Sequence, residues 1–366
     1  MRKARILIVD DSTVIRRLLS DALVTDPAVE IAGTAANGKI ALSKLPQVNP
    51  DLVTLDMEMP EMDGLTTLKE LRKQYPRLPV VMFSTLTQKG ASATINALSL
   101  GASDYVTKPA NVGGVTAAIE AVKNELLPKI KALCNLAAPI ARPTPSLVPP
   151  PKKFDFSTAN RRFDILAIGV STGGPNALTE IFRTLPAKLP VPIVIVQHMP
   201  PVFTGYLAER LNSVSQVDVV EARAGMSLHP GRAYLAPGNF HLALSRTATD
   251  VVTRLHQAPP ENSCRPAVDV LFRSVAENYG SNTLAAVLTG MGQDGQRGCE
   301  FIRAAGGFVL AQDEASSVVW GMPGAVVQAG LASSVLPLPQ IAGEFVRLAN
   351  LGRNSSAPRP LVPATV

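Results

Sequence analysis

Hydrophobic residues in the first 125 positions fall into short runs separated by helical patterns. The run at residues 6–9 ends at two consecutive aspartates, and the apolar positions that follow recur at the spacing of one helix face. Further strand-like runs lie at residues 30–34, 52–55, 80–83 and 105–106. Short buried strands that alternate with helices are typical of a doubly wound parallel sheet. We therefore expect an α/β domain over residues 1–125.

A second series of the same kind begins at Asp164. Its strand-like runs are residues 165–168, 192–196, 219–222, 233–235, 284–288 and 309–311. The helical pattern after the first of these runs carries an apolar stripe, which we interpret as an ordinary core-facing surface. The pattern predicts a second doubly wound parallel-sheet domain over residues 163–350. The fold class expected for the whole chain is therefore α/β with two such domains.

The residues between the two series differ in composition. Proline is frequent from residue 128 to residue 151, which predicts a semi-extended linker over residues 126–162, although a loop packed on both domains is an alternative. The stretch 128–162 holds seven Lys or Arg and one acid, so it accounts for the net charge of +6 of the 366-residue chain. Residues 351–366 are polar and Pro-rich, and we predict a disordered tail there.

Charge and hydropathy argue against several classes of protein. The basic excess lies in the predicted linker rather than on a recognition helix, so we expect no nucleic-acid partner. The apolar runs are far shorter than the roughly 20 residues of a membrane-spanning helix, and no signal-peptide pattern follows Met1. The three cysteines are widely separated, which argues against a disulfide framework or a zinc site. These features predict a cytoplasmic protein without membrane insertion.

Polar side chains follow the predicted strands of the first domain at the point where each strand ends. Asp10 and Asp11 follow the first run, Asp56 the third, Ser84 the fourth and Lys108 the fifth. The carboxyl ends of parallel strands meet at one edge of a sheet, so we expect these groups to converge. Clustered carboxylates need neutralisation, and Mg²⁺ with oxygen ligands fits this requirement. Ordinary polar strand ends explain any one of these residues, but not the ordered set.

This set resembles the receiver domain of response regulators, which has a flavodoxin-like fold, across essentially all of residues 1–125. The resemblance implies that Asp56 accepts a phosphoryl group from a chemotaxis histidine kinase. It also implies that Mg²⁺ is held by Asp10, Asp11 and Asp56. The phosphoryl oxygens would be contacted by Ser84 and Lys108. Such cations neutralise the charge on the equatorial oxygens during in-line transfer.

A glycine-rich segment follows the first predicted strand of the second domain. It places Ser171 in a G-x-S-x-G pattern, a tight turn that exposes a serine oxygen above a sheet. The competing interpretation is a phosphate-binding loop at a helix N-terminus. A dinucleotide fingerprint would have glycine at position 171 and an acid about 20 residues later, and the sequence has neither. The serine motif is weak by itself and needs a base and a carboxylate nearby.

Two other predicted strand ends supply candidates for those groups. His198 follows the run 192–196, at the sheet edge where an imidazole can accept the serine proton. His241 is the rival base, although its apolar flanks favour a structural role. Asp294 lies in a glycine-rich loop and can orient the histidine, with a turn or helix cap as the alternative. The order Ser, His, Asp is not that of α/β-hydrolases, but triads are recognised by geometry.

Several motifs make the second domain similar to the chemotaxis protein-glutamate methylesterase (CheB) family over residues 163–348. They lie at residues 168–175, 197–200, 234–238, 265–269, 288–295 and 319–323. The resemblance implies a Rossmann-like domain in which Ser171 is the nucleophile, His198 the base and Asp294 its orienting carboxylate. It further implies an oxyanion hole that includes the backbone N–H of Met291, and a supporting role for Thr172.

The two resemblances together imply a phosphorylation-activated serine esterase. It would hydrolyse glutamate methyl esters on the cytoplasmic helices of chemoreceptors and deamidate specific receptor glutamines, with Mg²⁺ at the receiver site and no cofactor for the esterase reaction. Alternatives from other classes are a receiver joined to a nucleotide-binding module and an adaptor whose second domain is catalytically dead. A transcription factor is disfavoured because the second domain shows no basic recognition helix.

Overall fold

The computed structural model describes residues 2–109, 114–134, 136 and 161–353. Most of the predicted linker and nearly all of the predicted tail lie outside the described residues. The domain boundaries proposed from the sequence therefore stay a prediction.

The N-terminal region is built on a five-stranded parallel sheet, as the alternating pattern predicts. Its strands are β1 (Ala4–Val9), β2 (Val29–Ala35), β3 (Leu52–Asp56), β4 (Val80–Ser84) and β5 (Asp104–Thr107). They pair in the order β2-β1-β3-β4-β5. The order reverses between β1 and β3, which opens a crevice at the carboxyl ends of these strands.

Helices cover both faces of this sheet. They are α1 (Thr13–Leu23), α2 (Gly38–Val48), α3 (Gly64–Gln74), α4 (Gln88–Ser99) and α5 (Val115–Leu133). The first four begin after a polar residue whose side chain accepts a backbone N–H of the first turn, and these caps are Ser12, Asn37, Asp63 and Thr87. Such caps satisfy donors that a helix leaves open at its N-terminus.

Helix α5 ends at Leu133, whereas the sequence pattern placed the end of the helix near residue 125. Pro128 lies inside this helix. The helix continues because Leu126 and Ile130 are fully buried against the apolar face of the sheet. Burial of two such side chains offsets the roughly 3 kcal/mol that an interior proline costs a helix.

The C-terminal region contains a seven-stranded parallel sheet and a two-stranded antiparallel pair. Their strands are β6 (Ile165–Val170), β7 (Ile193–Gln197), β8 (Asp218–Glu221), β9 (Arg232–Leu235), β10 (His241–Arg246), β11 (Val251–His256), β12 (Thr283–Val287), β13 (Phe308–Gln312) and β14 (Ser334–Leu336). The larger sheet has the order β14-β13-β12-β6-β7-β9-β8, and β10 pairs with β11. The antiparallel pair and β14 were not predicted.

Helices pack on both faces of the seven-stranded sheet. They are α6 (Gly174–Thr184), α7 (Phe203–Val214), α8 (Val268–Tyr279), α9 (Gln296–Ala304), α10 (Met322–Gln328) and α11 (Leu338–Ala349). Leu178 and Phe345 belong to the core on one face, and Phe272 and Ile302 to the core on the other. The fold is thus the predicted α/β class, with parallel sheets in both regions. Across the described residues, we find no helix with the length and apolar character that crossing a bilayer requires.

Candidate active site

Ser171 lies one residue beyond β6, the central strand of the larger sheet, and just before α6. Gly173 has a φ of 79°, a left-handed conformation that glycine adopts without steric cost. The N–H of Ser171 donates to the carbonyl of Thr289 at 3.0 Å, and the N–H of Gly174 donates to the carbonyl of Ser171 at 2.8 Å. The turn therefore holds the serine at the carboxyl edge of the sheet, against the loop after β12.

The glycines of this turn have packing functions that argue against a phosphate loop. A Cβ on Gly169 would lie 2.3 Å from a methyl carbon of Val268, so α8 packs directly on the backbone of β6 there. A Cβ on Gly173 would lie 2.6 Å from Val318. Close backbone approach by protein neighbours accounts for both glycines without a nucleotide.

His198 is the neighbour of Ser171 across the β6–β7 ladder. The last register pair joins Val170 to Gln197, and the N–H of His198 donates to the carbonyl of Val170 at 3.2 Å. The Gln197 amide also donates to the carbonyls of Ser171 and His198, at 3.0 and 3.1 Å. The described hydrogen bonds do not include one between the Ser171 hydroxyl and the imidazole. Such catalytic bonds often tighten only when substrate binds.

The imidazole of His198 pairs with the carboxylate of Asp294. Its Nε2 lies 2.7 Å from Asp294 Oδ2, and the side chains are 13% and 2% exposed. A carboxylate accepts, so Nε2 carries a proton, and in the neutral imidazole Nδ1 keeps the lone pair. Burial by itself lowers the pKa of His198, but the hydrogen bond to Asp294 and the contact with Cys264 outweigh it, so the pKa is raised. The raised pKa makes the imidazole a strong base, and its Nδ1 faces away from Asp294, 3.5 Å from Cys264 Sγ.

Asp294 is held by the N-terminus of α8. The backbone N–H of Val268 donates to its Oδ2 at 2.6 Å, and that of Asp269 donates to its Oδ1 at 3.0 Å. Burial raises the pKa of Asp294, but His198 and these two N–H groups outweigh burial and lower it overall. The helix end thus stabilises the ionised carboxylate that the imidazole needs.

His241, the rival base, is fully buried and has both ring nitrogens occupied by backbone groups. Its Nε2 lies 3.1 Å from the carbonyl of Pro259, and its Nδ1 accepts the N–H of Ala267 at 3.2 Å. It stands at the start of β10, opposite His256. These contacts support the structural role that its apolar flanks favour.

The loop after β12 carries the candidate oxyanion donor. The N–H of Gly290 donates to Val319, and the carbonyl of Gly290 accepts two N–H groups from the start of α10. The N–H of Met291 has no acceptor among the described residues. Thr172 is 4% exposed, and its carbonyl accepts the Thr289 hydroxyl at 2.9 Å. The open N–H and the predicted supporting residue thus lie on the two segments that meet at Ser171.

A second constellation lies at the carboxyl ends of β1, β3 and β5. The ammonium of Lys108 is 2.8 Å from Asp56 Oδ1 and 3.1 Å from Asp10 Oδ2. Oxygen atoms of Asp10, Asp11 and Asp56 all lie within 4.8 Å of one another. Burial raises the pKa of Asp56 to about 6, with a contribution from the charge of Asp10, although Lys108 opposes the shift. The predicted acids and lysine thus converge, as expected from the strand ends.

Ser84, the predicted phosphoryl contact, is fully buried and turned towards α4. Its hydroxyl donates to the carbonyl of Gly90 at 3.2 Å and accepts from the Thr94 hydroxyl at 2.7 Å. Thr85, rather than Ser84, lines the crevice above Asp56. The described hydrogen bonds of the Ser84 hydroxyl reach Thr85, Gly90 and Thr94, and none of them reaches Asp56.

Comparison with known proteins finds a matching family for each of the two regions. Residues 6–120 match the response regulator receiver domain, and residues 166–345 match the CheB methylesterase family. A protein-glutamate methylesterase/protein-glutamine glutaminase from Trichodesmium erythraeum is 53% identical over 349 residues, which cover 95% of this chain and 99% of the relative. A protein of the same name from Nocardioides sp. is 51% identical over 358 residues, 97% of this chain and 98% of the relative.

The chain belongs to the CheB methylesterase family. The crystal structure of the Thermotoga maritima CheB methylesterase catalytic domain is similar, with 45% sequence identity and a TM-score of 0.50. It covers 51% of this chain and 98% of its own. The sequence resemblances to this family and to receiver domains are therefore confirmed.

The receiver region of this CheB-family chain has donors that fit a divalent cation. Asp10 and Asp56 are 0% and 2% exposed, and Lys108 supplies a single positive charge to both carboxylates. Burial is the main cause of the raised pKa of Asp56, and the charge of Asp10 adds to it. Hard carboxylate oxygens at this spacing suit Mg²⁺.

Three residues of the CheB-family site were not singled out from the sequence. Gln197 joins the nucleophile segment to the base segment, while Asn262 and Asp269 lie against Asp294. Gln197 is next to His198 in the sequence, and this adjacency could have indicated that Gln197 belongs to the site. Asn262 lies in a loop 32 positions from Asp294, and no periodicity or spacing connects the two.

Proposed function

We propose that this protein is a phosphorylation-regulated serine esterase that acts in the cytoplasm. Its substrates are glutamate methyl esters on chemoreceptor helices, and it also deamidates receptor glutamines. The observation that carries the proposal is the His198–Asp294 pair, joined at 2.7 Å at the strand end beside Ser171. The names of the full-length relatives support both activities.

The proposed reaction uses the three strand-end groups in sequence. Ser171 Oγ attacks the ester carbonyl carbon, and its proton passes to Nδ1 of His198 while Nε2–H stays on Asp294. The oxyanion meets the N–H of Met291, a type of contact whose loss typically costs about 2.7–4 kcal/mol. The imidazolium then protonates methoxide, and methanol leaves.

Water completes the cycle by the same route. His198 takes a proton from water, hydroxide attacks the acyl carbon, and the proton returns to Ser171 as glutamate is released. With a glutamine substrate, the first leaving group is ammonia instead of methanol. One set of groups therefore serves both the esterase and the glutaminase reaction.

Regulation is proposed to begin at Asp56, which accepts a phosphoryl group from a histidine kinase. Mg²⁺, when bound by Asp10, Asp11 and Asp56, supplies charge neutralisation for the transferring group. Lys108 already lies 2.8 Å from Asp56, so its ammonium is in place to hold a phosphoryl oxygen. Phosphorylation replaces the carboxylate of Asp56 with a larger dianionic group.

The receiver region packs directly on helices of the catalytic region. The ring of Tyr105 stacks on Phe203 with centroids 4.9 Å apart and planes 10° from parallel. The Asn176 amide donates to the carbonyl of Ala102 at 3.2 Å. Asn176 lies five residues after Ser171, and Phe203 lies five residues after His198. The receiver therefore contacts the first turns of the two helices that follow the nucleophile and the base.

This contact supports a model in which the unphosphorylated receiver restricts access to Ser171. Phosphorylation at Asp56 shifts the population towards a form in which the contact opens. Full-length protein should release methanol from receptor-containing membranes faster with acetyl phosphate and Mg²⁺ than without them. Asp56→Asn should abolish the increase, and equal rates with and without the phosphodonor would exclude this control.

The esterase assignment is tested with Ser171→Ala. Methanol release from methylated receptor membranes should fall by roughly 10⁴-fold or more, as in other serine hydrolases that lose their nucleophile. Ser213→Ala, an exposed serine on α7, is the matched control and should keep the parent rate. Near-normal methanol release from Ser171→Ala would refute the nucleophile assignment.

A further inference from the structure

A tight turn at residues 261–264 reaches into the esterase site from outside the sheet. The N–H of Glu261 donates to the carbonyl of Cys264 at 3.1 Å, and the N–H of Cys264 donates back at 2.8 Å. The two central residues, Asn262 and Ser263, have φ values of 51° and 61°. Positive φ at both positions defines a type I′ turn, a conformation in which asparagine is favoured.

The turn is fixed to helix α8 by an ion pair. Both terminal nitrogens of Arg273 contact the carboxylate of Glu261, at 2.8 and 2.5 Å. The same helix supplies the N–H groups of Val268 and Asp269 that hold Asp294. The turn and the carboxylate of the candidate triad are thus positioned by one rigid element.

The side chain of Asn262 joins two carboxylates. Its Nδ2 donates to Asp294 Oδ1 at 2.8 Å and to Asp269 Oδ2 at 2.9 Å. Asp269 and Asp294 are 1% and 2% exposed, so their charges face each other with little solvent screening. Burial and the charge of Asp294 raise the pKa of Asp269. The backbone N–H groups at the start of α9, which donate to Asp269, oppose this shift.

We propose that Asn262 is a positioning residue of the esterase reaction. Its amide keeps Asp269 and Asp294 ionised side by side and directs Asp294 at His198. The inference rests on the proposed function of Ser171, His198 and Asp294. A primary amide suits this place because it has two N–H donors and no charge, so it serves both carboxylates at any working pH.

Loss of the amide would allow the two acids to share a proton, as close carboxylate pairs do. Asp294 would then be a weaker partner for His198 until the pH is high enough to remove the shared proton. The charged and titratable groups that face the pair are His198 at the end of β7, Cys264 and Glu261 in the turn, Arg273 on α8 and the buried thiol of Cys299 on α9. The Glu261–Arg273 pair is internally neutralised, so the change at Asp269 and Asp294 governs the pH dependence.

The test measures labelling of Ser171 by a fluorophosphonate across pH in the full-length protein. Asn262→Gly keeps the positive φ of the turn and removes only the amide. On the alkaline plateau of the profile, the labelling rate should fall about 10- to 100-fold. The acidic limb should move to lower pH, because a weaker Asp294 partner raises the pKa of His198 less. Ser263→Gly is the matched control, because it changes the neighbouring turn residue and should behave like the parent.

Asn262→Asp provides a second variant of nearly equal size. It places a third carboxylate against Asp269 and Asp294, and the added negative charge favours the protonated imidazole of His198, so its acidic limb should lie at higher pH than that of Asn262→Gly. A parent-like rate and pH profile in both variants would overturn the inference. If the parent protein itself does not label at Ser171, the proposed function fails instead, so the two failures are distinguishable.

Discussion

Replacing Asp294 with asparagine changes one oxygen of the proposed triad into an amide nitrogen. In the structure, every partner of this carboxylate is a donor. Oδ2 faces His198 Nε2 and the N–H of Val268, at 2.7 and 2.6 Å. Oδ1 faces the N–H of Asp269 and the amide of Asn262, at 3.0 and 2.8 Å. An asparagine amide therefore opposes a donor whichever way it is turned.

The expected loss of activity follows from the response of the His198 imidazole to this change. With the NH₂ group at the Oδ2 position, His198 pairs with it only by moving its proton from Nε2 to Nδ1, which removes the lone pair that would accept the Ser171 proton. The corresponding change in a serine protease lowers kcat by about 10⁴-fold. At 1.36 kcal/mol for each factor of ten, that is about 5.5 kcal/mol of barrier. The opposed N–H groups should also lower the free energy of unfolding by about 1–3 kcal/mol each.

The assay is methanol release from methylated receptor membranes, with urea unfolding as the check on folding. We expect Asp294→Asn to lower the rate by 10³- to 10⁴-fold. Asp218→Asn, at an exposed position on edge strand β8 of the same sheet, should keep the parent rate and is the control. A folded Asp294→Asn protein that retains more than a tenth of the parent rate would refute the role assigned to this carboxylate.

Further predictions concern the groups around the nucleophile. Because the pKa of His198 is raised and the base must be unprotonated, kcat/KM should fall with decreasing pH through a midpoint above 6.5; a midpoint below 6.5 contradicts this. Gly290→Ala places a Cβ 2.3 Å from Met322 Sδ and 2.9 Å from Ser171 Cβ. The free energy of unfolding in urea should therefore fall by about 1–3 kcal/mol, and methanol release should drop at least tenfold. Parent-like values in both assays would argue against that close packing. Cys264 Sγ lies 3.5 Å from His198 Nδ1, so iodoacetamide should inhibit the parent and spare Cys264→Ser; equal sensitivity would place the modified site elsewhere.

Hydrophobic periodicity was sufficient to predict the parallel strands that carry the chemistry. β6, β7 and β12 are continuous apolar runs because both of their faces are covered by helices. β14 is short and only partly buried, and β10 and β11 lie outside the main sheet, so their patterns carried less information. The end of α5 was misplaced because prolines near residue 128 indicated a linker, whereas burial of Leu126 and Ile130 extends the helix.

Candidate catalytic residues could be proposed from the sequence because strand ends of one parallel sheet share an edge. Ser171 and His198 follow adjacent strands, so their proximity was a consequence of topology. Asn262 could not be found in this way, because its contact with Asp294 depends on a turn that α8 holds in place from outside the sheet. The orientation of the Ser84 hydroxyl was equally inaccessible, since it depends on a rotamer and on Thr94.

The proposed reaction depends on activation of Ser171 by His198 and Asp294. Fluorophosphonate labelling of the full-length protein, followed by mass spectrometry of its peptides, reports on this activation. We predict one adduct, on Ser171, which disappears in His198→Ala protein that remains folded. An unlabelled parent protein, or an adduct on another residue, would contradict the account.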